Sequence, residues 1–171
     1  MTQSHQYPQC AGAQACGPQT DTPKPDDDNR ASRWEERYAS VEQLWSGCPN
    51  DWLPELAANW PPGSALEIGC GEGADVLWLA ERGWRVTGLD LSATAIGRLT
   101  RQAERLGVAS RVTGQVHDVG AGLPEGPFDL VTSFYVHGGP EEGSLDLVAL
   151  LSHAAARVAP GGHLLTAVHA V

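Results

Sequence analysis

The chain has 171 residues, 42% of them apolar, and its 21 acidic against 11 basic side chains give a formal net charge of −10. That length suits one domain around one core, and no apolar run approaches the roughly 18 residues of a membrane span or follows a basic stretch as in a secretory signal. A polyanion would meet an unfavourable average field that no basic cluster offsets, so neither nucleic acid nor a membrane is an expected partner.

The four cysteines, Cys10, Cys16, Cys48 and Cys70, lack the spacing of a zinc knuckle or a disulfide framework, which predicts a reducing, cytoplasmic setting. No metal site is expected. His5, Cys10 and Cys16 are irregularly spaced, and His153, His163 and His169 form no convincing ligand cluster.

In chain order, residues 1–31 are polar, proline-containing and poor in large aliphatics, and read as a disordered acidic leader. Structure is expected from Ser32, where Trp34, Tyr38, Val41 and Trp45 recur at helical spacing. SGCPN breaks that helix, and Trp52, Leu53, Leu56 and Trp60 mark a second. Residues 32–62 thus form an N-terminal helical cover, and residues 63–171 a core of repeated strand, turn and helix.

In the core, SALEIG is the first strand and ADVLWLAERG its helix, capped by Gly83. WRVTGLD is the second strand, and Ser92 caps a helix buried through Ile96, Leu99, Ala103 and Leu106. RVTGQVHD and FDLVTSFYV are the third and fourth strands. Leu147, Leu151, Ala154 and Val158 define a crossover helix, which Pro160-Gly161-Gly162 stops before the last strand, HLLTAVHAV. The alternation predicts an α/β fold: a three-layer, Rossmann-like doubly wound parallel sheet whose strand-to-helix turns gather at one edge.

Gly69-Cys70-Gly71-Glu72-Gly73 is the turn between the first strand and its helix. Glycine there admits positive φ and close approach of a ligand, and the N–H groups of the helix start attract an anion, either a pyrophosphate or an amino-acid carboxylate. Gly69, Gly71 and Ala74 also satisfy the G-x-G-x-x-[G/A] pattern of dinucleotide-binding proteins, so an NAD-dependent oxidoreductase is one alternative. Asp90 closes the second strand, 19 residues after Gly71, and suits a ribose diol in either case. Glu67 tips the balance. A carboxylate inside an apolar strand needs compensation; a cofactor carrying an amino group and a sulfonium supplies it, whereas a pyrophosphate would be repelled. Cys70 invites a nucleophile reading, but a small residue packed in the turn explains it better.

LEIGCGEGADVLWLAERGWRVTGLDLSATAI resembles the first motif and following acidic strand end of class I S-adenosylmethionine-dependent methyltransferases, most closely the small-molecule and tellurite-resistance-like group. HDVGAGLPEGPFDLVTSFYVHG and VAPGGHLLTAV resemble the later core motifs, so the likeness runs from about residue 33 to 171. It implies S-adenosylmethionine as cofactor, with Glu67 organising the methionine end and Gly69, Cys70, Gly71 and Gly73 forming the surface beneath it. Asp90, with Leu91 beside it, would take the ribose hydroxyls, and Asp118 the adenine amino group; Val119 and Phe134 would line the pocket. Asp118 also reads as a plain turn or helix cap.

The resemblance further implies methyl transfer to a small-molecule acceptor by in-line displacement. The end of the fourth strand faces the acceptor in such enzymes, which makes His137 a candidate base or orienting group and Tyr135 a pocket wall or hydrogen-bond donor. Tyr38, Trp45 and Asn50 are the acceptor-side candidates of the cover, although an aromatic stripe also simply packs on a core. Members of the group continue through a further helix and a terminal antiparallel hairpin, giving strand order 3-2-1-4-5-7-6. This chain ends at Val171, so the expected order is 3-2-1-4-5, with the fifth strand an exposed edge open to self-association. That shortening keeps a second alternative open, a non-catalytic cofactor-binding protein.

Overall fold

A computed structural model describes residues 29–136 and 145–168. The core is a parallel sheet of β1 (Ser64–Ile68), β2 (Arg85–Asp90), β3 (Val112–Val116), β4 (Phe128–Phe134) and β5 (Val158–Ala167). Its order is β3-β2-β1-β4-β5, as the strand–helix alternation predicts. β1 lies at the centre and is buried along Ala65–Ile68, which suits a parallel strand covered on both faces.

One face carries α3 (Ala74–Glu81) and α4 (Ala93–Arg105), which pack with Ala65, Val86 and Leu130; the other carries α5 (Leu147–Ala155), with Leu66, Ile68, Leu89 and Val131. Val76 through Ala80 are all buried, so α3 is apolar on every side. Leu53 and Ala57 of α2 (Trp52–Ala57) join the same cluster, so α2 belongs to the layer around α3. α4 is amphipathic, with Ile96, Leu99 and Ala103 buried, and Ser92 Oγ accepts from the Ala95 N–H at 3.1 Å as its cap. Gly83 ends α3 at φ +93°, its N–H reaching the Ala80 carbonyl.

The N-terminal boundary differs from expectation. α1 spans Asn29–Ala39, so helix begins before Ser32 and inside the expected leader, and it stops well before Trp45. Arg98 of α4 accounts for the stop: its guanidinium donates to the carbonyls of Tyr38 and Val41, satisfying acceptors that a continuing helix would use. Trp45 therefore folds back from a loop and does not extend the helical stripe.

The second difference lies at β5, which starts at Val158 and not at His163. Pro160-Gly161-Gly162 interrupts the register without ending the strand: Phe128 pairs with Val158 and Leu130 with His163. Gly161 takes φ +80°, and a Cβ on Gly162 would lie 2.8 Å from the Asp129 carbonyl, so glycine lets the chains pass closely. Val158 thus belongs to the strand, and the buried face of α5 is Leu150 with Ala154. β4 ends at Phe134, one residue before a turn at Tyr135.

Cys48, before α2, is disulfide-bonded, which the scattered cysteine spacing did not indicate; Cys70 is a free, buried thiol. No helix among the described residues is long and apolar enough to cross a membrane.

Candidate functional site

The parallel order brings the turn after β1, the end of β2 and the end of β3 to one edge of the sheet. Gly69, Gly71 and Gly73 all have positive φ, at +73°, +53° and +85°. The turn is held against β2 at two points: the Cys70 N–H donates to the Leu89 carbonyl at 2.8 Å, and the Gly71 N–H donates to Asp90 Oδ2 at 2.9 Å. Asp90 Oδ1 accepts from the Ser92 N–H at 2.9 Å, so one carboxylate ties the glycine turn to the start of α4. Burial raises the Asp90 pKa while these N–H donors oppose the rise.

Behind the turn, Glu67 is 4% exposed and its Oε2 has no hydrogen-bond partner. Its carboxyl is hydrogen-bonded to that of Asp75 in the first turn of α3. Burial, then the neighbouring Asp75, then Asp90 hold the Glu67 pKa well above the carboxylate range. Burial likewise pushes Asp75 up to about 6, against the lowering effect of the Asn50 N–H, which donates to its Oδ1 at 2.6 Å. Burial thus shifts both carboxyls of this pair toward their protonated forms.

This pair fixes a sign for stability. Carboxyls with native pKa values above their unfolded values bind more protons folded than unfolded, so their contribution is full below the unfolded values and is lost as pH rises through the native ones. Ligand-free protein is expected to lose stability between about pH 4 and pH 6 and beyond, whereas Glu35 and Asp129, held low by hydrogen bonds, act oppositely only in more acid solution. Urea midpoints at three pH values across this range test it. A midpoint that rises steadily with pH would contradict it.

The sequence-predicted residues assemble unevenly. Glu67, Gly69, Cys70, Gly71, Gly73, Asp90 and Leu91 lie together in β1, the turn and the end of β2. Burial and nearby carboxylates push the Cys70 thiol pKa up, which suits packing and not nucleophilic attack. Asp118 stands at the end of the segment after β3, where its Oδ1 accepts from the Gly120 N–H at 2.8 Å and pairs with Arg30 of α1. Val119 beside it is buried.

Phe134 is half-buried at the end of β4. Tyr135 follows at φ +54°, a strained conformation for a bulky residue, and is 39% exposed, with its N–H on the Ala167 carbonyl. Val136 closes on the glycine turn: a Cβ on Gly69 would lie 2.7 Å from its Cγ2. His137 lies outside the described residues.

Among the cover residues, Tyr38 is 2% exposed and its hydroxyl accepts from Trp45 Nε1 at 2.9 Å; a Cβ on Gly71 would lie 2.9 Å from that hydroxyl. The two rings thus sit directly on the turn, and Glu72 accepts from the Leu44 and Trp45 N–H groups to hold the loop there. Asn50 contributes mainly backbone, to Asp75, while its Oδ1 accepts from the Trp52 N–H at 3.2 Å.

Four polar anchors were absent from the sequence reading: Asp75, Arg30, Glu35 and Arg98. Glu35 accepts from Ser92 Oγ at 2.6 Å and from the Thr94 N–H at 3.1 Å. With Arg30 on Asp118 and Tyr38 over Gly71, α1 lies across the ends of β3, β2 and β1 in turn. Only Asp75 carried a local signal, an acidic residue in the first turn of a helix next to the glycines.

An open parallel sheet with a glycine turn, a strand-end carboxylate and a covering helix defines an α/β domain with a ligand crevice at the carboxyl ends of its strands. A family model described as a methyltransferase domain matches residues 34–171, and the chain belongs to that family.

It is 30% identical over 142 residues to a protein of Arabidopsis thaliana named probable thiol methyltransferase 2, covering 81% of this chain and 62% of that one. Over 53 residues, 31% of this chain, it is 42% identical to ribosomal RNA small subunit methyltransferase C of Alcanivorax borkumensis, of which that stretch is 16%. A solved structure concerned with conversion of a disulfide bond into a thioacetal group during echinomycin biosynthesis superposes with TM-score 0.66 at 28% identity, over 79% of this chain and 57% of that one. A S-adenosyl-L-homocysteine complex of a SAM-dependent methyltransferase from Geobacter sulfurreducens gives 0.61 at 24%, over 78% and 54%, and shares the fold. The chain spans less than two thirds of each of these relatives.

Proposed function

We propose that the chain binds S-adenosylmethionine at this edge and transfers its methyl group to a small-molecule acceptor. The observation that carries the reading is the buried, partly unpartnered acid group under the glycine turn. Glu67 and Asp75 make a poor neighbour for a pyrophosphate and a good one for a cation, which favours this cofactor over NAD. Asp90 would accept from the ribose hydroxyls while bracing the turn. Asp118 would accept from the adenine amino group, and Arg30 would then share or leave its carboxylate.

When bound, this cofactor supplies a methyl group already activated by a positively charged sulfur. The protein's part is alignment and exclusion of water, and well-oriented reactants gain on the order of 7–11 kcal/mol over a dilute encounter. Tyr38 and Trp45 over Gly71 would shield the crevice. Tyr135, exposed at the end of β4, would wall the acceptor side, and His137, two residues on, would orient the acceptor or take its proton. The −10 net charge and the thiol methyltransferase relative favour a small sulfur-bearing acceptor over a polyanion.

Incubation with methyl-labelled cofactor and a panel of thiols, phenols, amines and chalcogen oxyanions tests the reaction, with label expected first on a thiol. Binding of the cofactor without any labelled product would contradict catalysis by this chain. His137→Ala is expected to lower turnover by about 10²-fold or more, the usual worth of a positioned acid–base group, with cofactor affinity unchanged. Unchanged turnover would remove the histidine from the reaction.

A further inference from the structure

We propose that Asp75 is a cofactor-binding residue that shares a proton with Glu67 in the ligand-free protein, and that the α-ammonium of the methyl donor displaces this proton and is held by both carboxylates. The inference rests on the cofactor assignment above and extends it to a residue and a linkage that the glycine motif does not contain. One proton leaves to solvent for each ammonium taken up, so the charge of the buried corner is nearly unchanged.

Two observations carry it. Glu67 Oε2 is buried without a partner, although burial of a polar oxygen away from water normally demands one. Asp75, whose carboxyl is hydrogen-bonded to that of Glu67, also accepts from the Asn50 N–H at 2.6 Å, which holds it in place beside the orphaned oxygen. A group with several N–H donors would satisfy the orphaned oxygen.

No side-chain cation among the described residues is poised to do so. Arg98, from α4, is committed to Glu72 at 2.7 Å and to the Tyr38 and Val41 carbonyls. The other titratable groups facing the pair are Asp90 from β2 and Cys70 from the turn. The carboxylate and any ionised thiol would oppose a second negative charge, which favours keeping the proton until a cation arrives. Burial raises both carboxyls, Asp75 to about 6, which places the exchange in an accessible range.

Calorimetric titration with S-adenosylhomocysteine in two buffers of different ionisation enthalpy counts the protons. Near pH 6 the expected result is release of close to one proton per molecule bound, with affinity rising up to about tenfold per pH unit toward neutrality. 5′-Methylthioadenosine, which keeps adenine and ribose but lacks the ammonium, is expected to release none; this separates the pair from Asp90. Asp75→Asn and Glu67→Gln each leave one carboxyl and an amide donor, and each is expected to cut the proton count by at least half and weaken S-adenosylhomocysteine about tenfold or more. Tight binding with no proton released, or an Asp75→Asn protein with wild-type count and affinity, would overturn the proposal while leaving the cofactor assignment intact. Absence of any binding to folded protein would overturn both.

Discussion

Asp90→Ala is expected to lower affinity for S-adenosylhomocysteine by on the order of 100-fold or more while the protein stays folded. Hydrogen bonds to an ionised acceptor contribute about 1.5–3 kcal/mol each, and the proposed ribose diol would lose two of them. The loss is compounded locally, because the same carboxylate accepts the Gly71 and Ser92 N–H groups at 2.9 Å. Without it the glycine turn is no longer tied to the start of α4, and the ligand must order what the apo protein formerly held in place. Asp90→Asn discriminates the two contributions. It keeps one oxygen, but its amide nitrogen must then face either the Gly71 or the Ser92 donor, so affinity is expected to fall nearly as far. Equilibrium binding with circular dichroism on both variants checks this, and an unchanged affinity in Asp90→Ala would remove the residue from the site.

Gly73→Ala is expected to be the most damaging conservative change to stability in the turn, at about 3 kcal/mol. A left-handed conformation costs a residue with a Cβ about 1–2 kcal/mol, and overpacking a core adds about 1–3 kcal/mol. Both apply at Gly73, whose φ is +85° and whose added Cβ would lie 3.0 Å from Leu99 Cγ and closer still to Cδ1. Leu99 is fully buried and has nowhere to swing. Gly107→Ala is the matched control, because its φ is +71° but nothing lies within 4 Å of the new Cβ; it should show the conformational cost alone. Urea unfolding of the two variants should therefore separate them by about 1–3 kcal/mol. Equal effects would mean that the α3–α4 contact is looser than the Gly73–Leu99 packing implies.

The parts of the site that were readable in the sequence are those fixed by neighbours along the chain. Glu67, the three glycines and Asp90 announce themselves because strand, turn, helix and strand follow within a short span, and the sheet order follows from the chirality of the crossovers. Ser92 as a cap is local in the same way. The anchors of α1 are not: Arg30 meets Asp118 and Glu35 meets Ser92 only after the helix is laid across the sheet edge, and no spacing encodes such meetings.

Trp45 shows how periodicity misleads. It continues the rhythm of Trp34 and Tyr38 through a stretch where Arg98, more than fifty residues on, takes the carbonyls and ends the helix. At Pro160-Gly161-Gly162 the residues of a stop signal instead let β5 pass close to the Asp129 carbonyl. In the sequence Asp75 is an acidic residue at a helix start, which has an ordinary explanation in the helix dipole. Its bond to Glu67 appears only when β1 and α3 are packed.

The most direct test of the assignment is equilibrium binding of S-adenosylhomocysteine, S-adenosylmethionine and NAD to the same folded preparation. The buried acid pair, the glycine turn and Asp90 predict saturable one-to-one binding of both sulfur compounds, each displacing the other, and no competition by NAD. Binding of NAD in their place, or of none of the three by well-folded protein, would contradict the account.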